Sequence, residues 1–163
     1  MAELWLSQNT TNISIHHIKQ RIIDIYHQTW KTSVDESYRL STYSWYKREL
    51  TQEIYLENIH IRKYKIAFTR FRVPSHDLLI EKGRHFNINR ADRICIHCHM
   101  NVIENKYHFR LVCPLYNNLR EQYFKPYFCH WPTKQKLITL MTSTNKITLL
   151  NVSYCGIIYF RAV

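Results

Sequence analysis

The chain has 163 residues, 45% hydrophobic and 14% aromatic, which is enough apolar surface for one sizeable core and excludes a disordered tail or a collagen-like sequence. Its 23 Lys and Arg against 12 Asp and Glu leave a net charge of +11. Only two glycines occur, Gly83 and Gly156, so neither a P-loop nor a G-x-G-x-x-G turn can be written, and nucleotide-dependent enzymes of those types are excluded.

Met1 to Asn12 carry Glu3 and no basic cluster ahead of an apolar stretch, so they do not read as a secretory signal. The expectation is an intracellular protein, nuclear or cytoplasmic and not secreted, in which the N-x-S/T matches at Asn9, Asn12 and Asn151 are chance. Ser14 is a suitable N-cap for an amphipathic helix in which Ile15, Ile18, Ile22, Ile25, Tyr26 and Trp30 recur at spacings of three and four. A polar and aromatic connector covers Thr32 to Ser44. A second helical pattern then runs from Trp45 to Phe71 and ends at Val73, Pro74 and Ser75. In its latter half Ile54, Ile61, Tyr64, Phe68 and Phe71 form an apolar stripe, with Arg62, Lys63 and Arg70 roughly opposite and Ile59 and Ile66 interrupting the polar face.

A short third helix is expected from Ser75 to Lys82, with Leu78 and Leu79 inward and Gly83 as a left-handed stop. Beyond Cys113, Tyr116 to Phe124 reads as a helix, Pro126 to Pro132 as an aromatic turn region, and Leu137 to Phe160 as one or two apolar segments. The uncharged run Ile147 to Phe160 has 14 residues, whereas a membrane-spanning helix needs about 20, so no membrane partner is expected. The fold class is therefore mainly α, a helical domain in which Cys95, Cys98, His108 and Cys113, between helical segments, are spaced for a small Cys3His zinc knuckle. The organisation expected is a charge-neutral helical region over 1–59, a basic helix and loop over 60–93, the knuckle over 94–116 and a C-terminal helical region over 117–163.

Charge is divided unevenly along that chain. Residues 1–59 hold six basic and seven acidic side chains, and residues 60–163 hold 17 and five. Such asymmetry suits a phosphate backbone, because cations that neutralise phosphates release condensed counterions. A solvated face, or attraction to an acidic protein or membrane surface, is the alternative. The densest stretch carries Arg62, Lys63, Arg70, Arg72, Arg84, Arg90 and Arg93, the candidate nucleic-acid contacts.

The strongest local pattern is Cys95-x-x-Cys98, then nine residues to His108, then four to Cys113. A Cys-x-x-Cys pair places two thiolates on one cation, and a distant His and Cys complete the tetrahedral sphere that suits Zn²⁺. His108 and Cys113 lie five apart, so they converge on one side of a helix only if its first turn is loosened, or at the junction of a loop with the helix that continues through Tyr116. His97 and His99 compete with His108 for the fourth position. Glu104 reads as a solvated turn residue, Cys129 and Cys155 as unpaired cysteines, and the neighbouring Cys129 and His130 as structural. A catalytic zinc keeps an open coordination position, and four protein ligands leave none.

The segment from Lys63 to Cys113 contains Lys65-Ile66-Ala67-Phe68-Thr69-Arg70-Phe71-Arg72, Ser75-His76, Ile80-Glu81-Lys82-Gly83-Arg84, Arg93-Ile94-Cys95, Cys98 and Tyr107-His108-Phe109, and Cys113-Pro114-Leu115-Tyr116 closes it. This segment, about a third of the chain, resembles the C-terminal zinc-binding tail of LINE-type (non-LTR) retrotransposon reverse transcriptases. The resemblance implies that Cys95, Cys98, His108 and Cys113 hold zinc and that the module helps a parent enzyme grip template RNA or target DNA. It does not imply a polymerase, which requires metal-holding aspartates including an adjacent pair; this sequence has four Asp, none adjacent, and no endonuclease carboxylate cluster. The expectation is a zinc-stabilised nucleic-acid-binding module that is not an enzyme, with Tyr64, Tyr107 or Phe109 as stacking candidates. The alternatives are a zinc-stabilised protein-interaction module, docking a reverse transcriptase core or another protein, and a non-functional retroelement fragment.

Overall fold

The computed structural model describes residues 15–162, with side chains through 158. Ser14 as a cap, the glycosylation matches at Asn9 and Asn12, and the reading of Met1 to Asn12 lie outside the described residues. The chain divides into two compact units between Thr51 and Gln52. The expected boundary at residue 59 therefore falls inside the second unit.

The first unit is built on helix α1, Ile15–Glu36, followed by a 3-10 turn at Tyr38–Leu40. The three-and-four periodicity does produce the helix, but its apolar stripe is not covered: Ile15, Ile18, Ile22, Ile25 and Tyr26 are exposed, Trp30 is half-buried, and Val34 is the buried residue of the helix. No helix among the described residues is long and apolar enough to cross a membrane.

The second unit is also helical. It contains α2 (Ile54–Asn58), α3 (Arg62–Arg72), α4 (Leu79–His85), α5 (Asn117–Tyr123), α6 (Pro126–Cys129), α7 (Lys134–Met141) and α8 (Lys146–Ala162). Among the described residues the nearest thing to a sheet is one isolated antiparallel bridge, Ile94 with Ile103. The fold class is thus mainly α, with the Cys3His cluster between helical segments.

The long helix expected over Trp45 to Phe71 is broken. Glu53, Ile59 and Ile61 are extended, so two short helices replace one. The break explains Ile59, which straight-helix geometry puts on the polar face: with extended backbone the side chain turns inward and is fully buried. Ile54 and Ile61, assigned to the apolar stripe, are exposed instead. Along α3 the periodicity holds, with Ala67, Phe68 and Phe71 buried and Arg62, Lys63, Ile66 and Arg70 outward. Its principal partner is α8, whose Leu149 and Val152 share the core with Leu137, Leu140 and Met141 of α7. The C-terminal apolar segments therefore pack internally.

Side-chain caps start both C-terminal helices. Thr133 Oγ1 accepts from the Lys136 N–H at 3.2 Å, and Asn145 Oδ1 accepts from the Thr148 N–H at 2.9 Å. Asn151 lies on α8 and donates through Nδ2 to the Tyr123 carbonyl at 2.7 Å, a structural use of the third N-x-S/T match.

Helix α4 begins at Leu79 and carries Gly83 within it, not after it. Left-handed backbone falls on Asn87, at φ 53°, so Asn87 and not Gly83 occupies the expected stop conformation. Gly83 serves close approach: an added Cβ would stand 2.8 Å from Arg93 Cγ and 2.9 Å from Cδ. Arg93 cannot yield easily, since Nε and Nη2 donate to the Ile88 carbonyl at 3.0 and 2.9 Å and Nη1 donates to Ile80 at 2.7 Å. Gly83→Ala is expected to lower stability by about 1–3 kcal/mol through this overpacking. A denaturant titration with an unchanged midpoint would show that the contact relaxes without cost.

Candidate metal centre

Two chain segments supply the four ligands of the knuckle. Residues 93–104 form a tight antiparallel return in which the Cys95 N–H donates to Val102 O and the Glu104 N–H donates to Arg93 O, both at 2.8 Å. Asn101, at φ 52°, supplies the left-handed residue that lets the chain reverse. Cys95 and Cys98 sit on this return. The other two ligands come from the segment after it, where Asn105 Oδ1 accepts from the His108 N–H at 2.9 Å and so starts the turn.

That turn is π-helical from His108 to Val112, closed by the Cys113 N–H donating to the His108 carbonyl at 2.7 Å. A five-residue spacing is awkward on an α-helix, whose neighbours on one face are three and four apart, and natural to an i→i+5 turn. Of the two arrangements that the ligand spacing allows, the loosened turn is the one present. It brings His108 and Cys113 to the same side, and Pro114 follows at the start of a 3-10 turn, Pro114–Tyr116.

The ligand atoms of Cys95, Cys98, His108 and Cys113 all lie within 4.8 Å of one another, with Cys98 Sγ 3.3 Å from His108 Nε2. A zinc tetrahedron with sulfur at about 2.3 Å has edges of roughly 3.8 Å, so a small inward adjustment closes the shell. Cys95, His108 and Cys113 are buried and Cys98 is half-buried. Burial pushes the Cys95 thiol up to about 12 and raises Cys113 also, while the His108 imidazole is pulled down. A divalent cation reverses the penalty on the thiolates, and a neutral imidazole is the form that ligates. The donor set fits Zn²⁺.

The competing histidines stand apart from the cluster. His97 Nε2 lies 3.7 Å from Glu104 Oε1, and His99 is exposed. Glu104 is not the solvated turn residue its position in a loop predicts; it is 3% exposed, and its Oε2 accepts from the Leu79 N–H at 2.6 Å. The carboxylate caps α4 from 25 residues away, which joins that helix to the knuckle. The capping group lies 25 residues beyond the helix start, so the sequence around α4 gives no signal for it.

The seven candidate nucleic-acid cations separate into three groups. Arg62, Lys63, Arg70 and Arg90 are exposed. Arg84 is half-buried and meets Glu81 at 3.3 Å. Arg72 and Arg93, at 2% and 9% exposure, are interior, and the structure removes both from the candidate phosphate-binding surface. Arg72 Nη2 donates to both Glu53 carboxylate oxygens at 2.9 Å, Nη1 donates to the Met141 carbonyl, and the guanidinium lies over the Tyr55 ring. Arg72 is also the last residue of α3, and its carbonyl accepts from Lys106 Nζ at 2.7 Å. Burial lowers the Lys106 ammonium to about 7.

The stacking candidates are packing residues. Phe109 is buried between Phe71 and Tyr116, Tyr64 meets Tyr154 edge-on, and the Tyr107 hydroxyl donates to Pro132 O at 2.8 Å. Cys129 and His130 do not pair: the thiol faces the Lys125 carbonyl at 3.8 Å and His130 Nδ1 meets Pro126 O at 2.9 Å. His76, in the resemblance segment, is buried against Phe71, and desolvation with the nearby Lys106 charge holds it down at about 3, a neutral imidazole at physiological pH.

No protein-family model matches the chain, and no curated protein or solved structure is significantly similar to it.

Proposed function

We propose that the second unit is a zinc-stabilised nucleic-acid-binding module, without catalysis of its own, whose zinc holds the knuckle against the basic helix α3. The observation that carries the reading is the division of α3: Phe68 and Phe71 anchor it in the core while Arg62, Lys63 and Arg70 face outward in the same compact unit as the Cys3His cluster. Arg90, exposed just ahead of the knuckle, extends the basic surface. Such cations engage phosphates rather than base edges, which makes the contact independent of sequence. The resemblance to LINE-type retroelement tails supports the same reading and rests on the residues of the segment Lys63 to Cys113. Four protein donors complete the zinc sphere, so the metal's role is structural.

The test is binding to a labelled single-stranded RNA and a matched DNA duplex across a salt series. Affinity is expected to fall steeply with salt. Replacing Arg62, Lys63 and Arg70 together by Gln should weaken binding to every sequence and reduce the single-strand slope by about 2, at roughly 0.7 for each phosphate no longer neutralised, while leaving the melting temperature unchanged. Absence of binding at low salt would overturn the proposal. A second reading, docking of a protein, is favoured by the exposed stripe Ile15, Ile18, Ile22 and Ile25 of α1. A non-functional retroelement fragment would show neither activity while keeping the zinc.

A further inference from the structure

Arg110 and Arg120 occupy the interior in an unusual way. Arg110, on the π-helical turn, is 3% exposed; Nη1 donates to the Val152 carbonyl at 3.0 Å and the guanidinium lies 4.2 Å from the Phe71 ring centroid. Arg120, on α5, is 5% exposed; Nη2 donates to the Cys113 carbonyl at 2.6 Å and to Asn117 Oδ1. Each keeps one buried nitrogen without a partner among the described residues, Nε of Arg110 and Nη1 of Arg120. Both side chains line one small pocket, walled by Phe109, Leu119, Phe124 and Cys155, with a volume of about 10 Å³.

Among the described residues no carboxylate lines that pocket. The Cys155 thiol in its wall is raised by burial and drawn down in turn by Arg110 and Arg120, so both cations act at the same place. The exposed Glu121 offsets part of the Arg120 charge, whereas Arg110 has the aromatic faces of Phe71 and Phe109. Two buried guanidiniums that share an apolar-walled pocket, each with a spare donor, are stabilised by a negative charge held between them.

We propose that this pocket, between the π-helical turn, α5 and α8, binds a compact inorganic anion the size of chloride. The volume suits a single atom, about the space of one water, and both guanidiniums line it, which also describes the seat of one phosphate oxygen. The bound anion neutralises the interior where the helix carrying Arg120 crosses the C-terminal helix, and so stabilises the core next to the zinc ligand Cys113. This site is independent of the surface cations Arg62, Lys63 and Arg70, and loss of either function leaves the other intact.

The melting temperature of the zinc-loaded full chain, measured in chloride against gluconate at constant ionic strength, tests the proposal. A saturable rise is expected, about 3 °C at a tenfold excess over the dissociation constant. A parallel phosphate arm separates a seat for a halide from one for a phosphate oxygen: a rise with phosphate alone assigns the latter. Arg110→Met should abolish the response. Should that variant not fold, a wild-type crystal grown in bromide gives the second measurement, with an anomalous peak expected in the pocket lined by Arg110 and Arg120. Equal melting in all three salts, or a bromide crystal with no such peak, overturns the site.

Discussion

Stripping the metal from the protein with a chelator is expected to unfold the return that carries Cys95 and Cys98 and lower the melting temperature by about 10 °C or more, since structural zinc binding is itself folding free energy. The local reason lies in the return that carries Cys95 and Cys98, which one isolated bridge and the Glu104 cap hold to the rest, while Phe109, Arg110 and Leu111 are anchored in the core; there three sulfurs and an imidazole crowd within 4.8 Å. Without the cation, Cys95 and Cys113 are buried neutral thiols with no bond of comparable strength. Cys98→Ser should take zinc from one per chain to a small fraction and produce the same loss of stability. Cys129→Ser is the control, because that thiol lies outside the cluster, faces the Lys125 carbonyl and should change neither quantity. Zinc content and melting both unaltered in Cys98→Ser would sink the ligand assignment.

Arg72→Ala is expected to cost about 3–4 kcal/mol, a loss read as a lower denaturant midpoint. The substitution leaves the Glu53 carboxylate without its bidentate partner and the Met141 carbonyl, at the end of α7, without its donor. Glu53 keeps 20% side-chain exposure, and water offsets part of the penalty, which puts the expected loss at the lower end of the range for broken buried pairs. Arg70→Gln, two residues earlier and exposed, should leave stability within about 0.5 kcal/mol of wild type. The contrast separates an arginine that holds the fold from one available to a phosphate. Equal stability of the two variants would mean that the Arg72 pair contributes nothing net.

These two arginines also show where local pattern stops being informative. Arg70 and Arg72 sit in the same basic run and look alike as candidate phosphate contacts. Helical rotation between them places Arg70 in solvent and Arg72 under α7, and only the neighbouring elements decide that the second position is covered. Arg93 is similar: its charge suggests a surface, but the bare face of Gly83 and the carbonyls of Ile80 and Ile88 make a slot for it.

The chemistry that depends on short spacing is written in the residues themselves. Cys95-x-x-Cys98, His108 and Cys113 specify a tetrahedral donor set, and the five-residue step between the last two rules out a regular α-helical turn, which the structure resolves with a π-helical one. The helical class follows in the same way from three-and-four periodicity, which each segment carries within itself. The tertiary structure alone decided which side chains are covered. It broke the helix before α3 so that Ile59 could be buried, took Arg72 and Arg93 inside, and drew Glu104 back to cap α4. Burial and long-range capping depend on residues distant in the chain, and the free energy of a buried charge is set by partners that no local window contains.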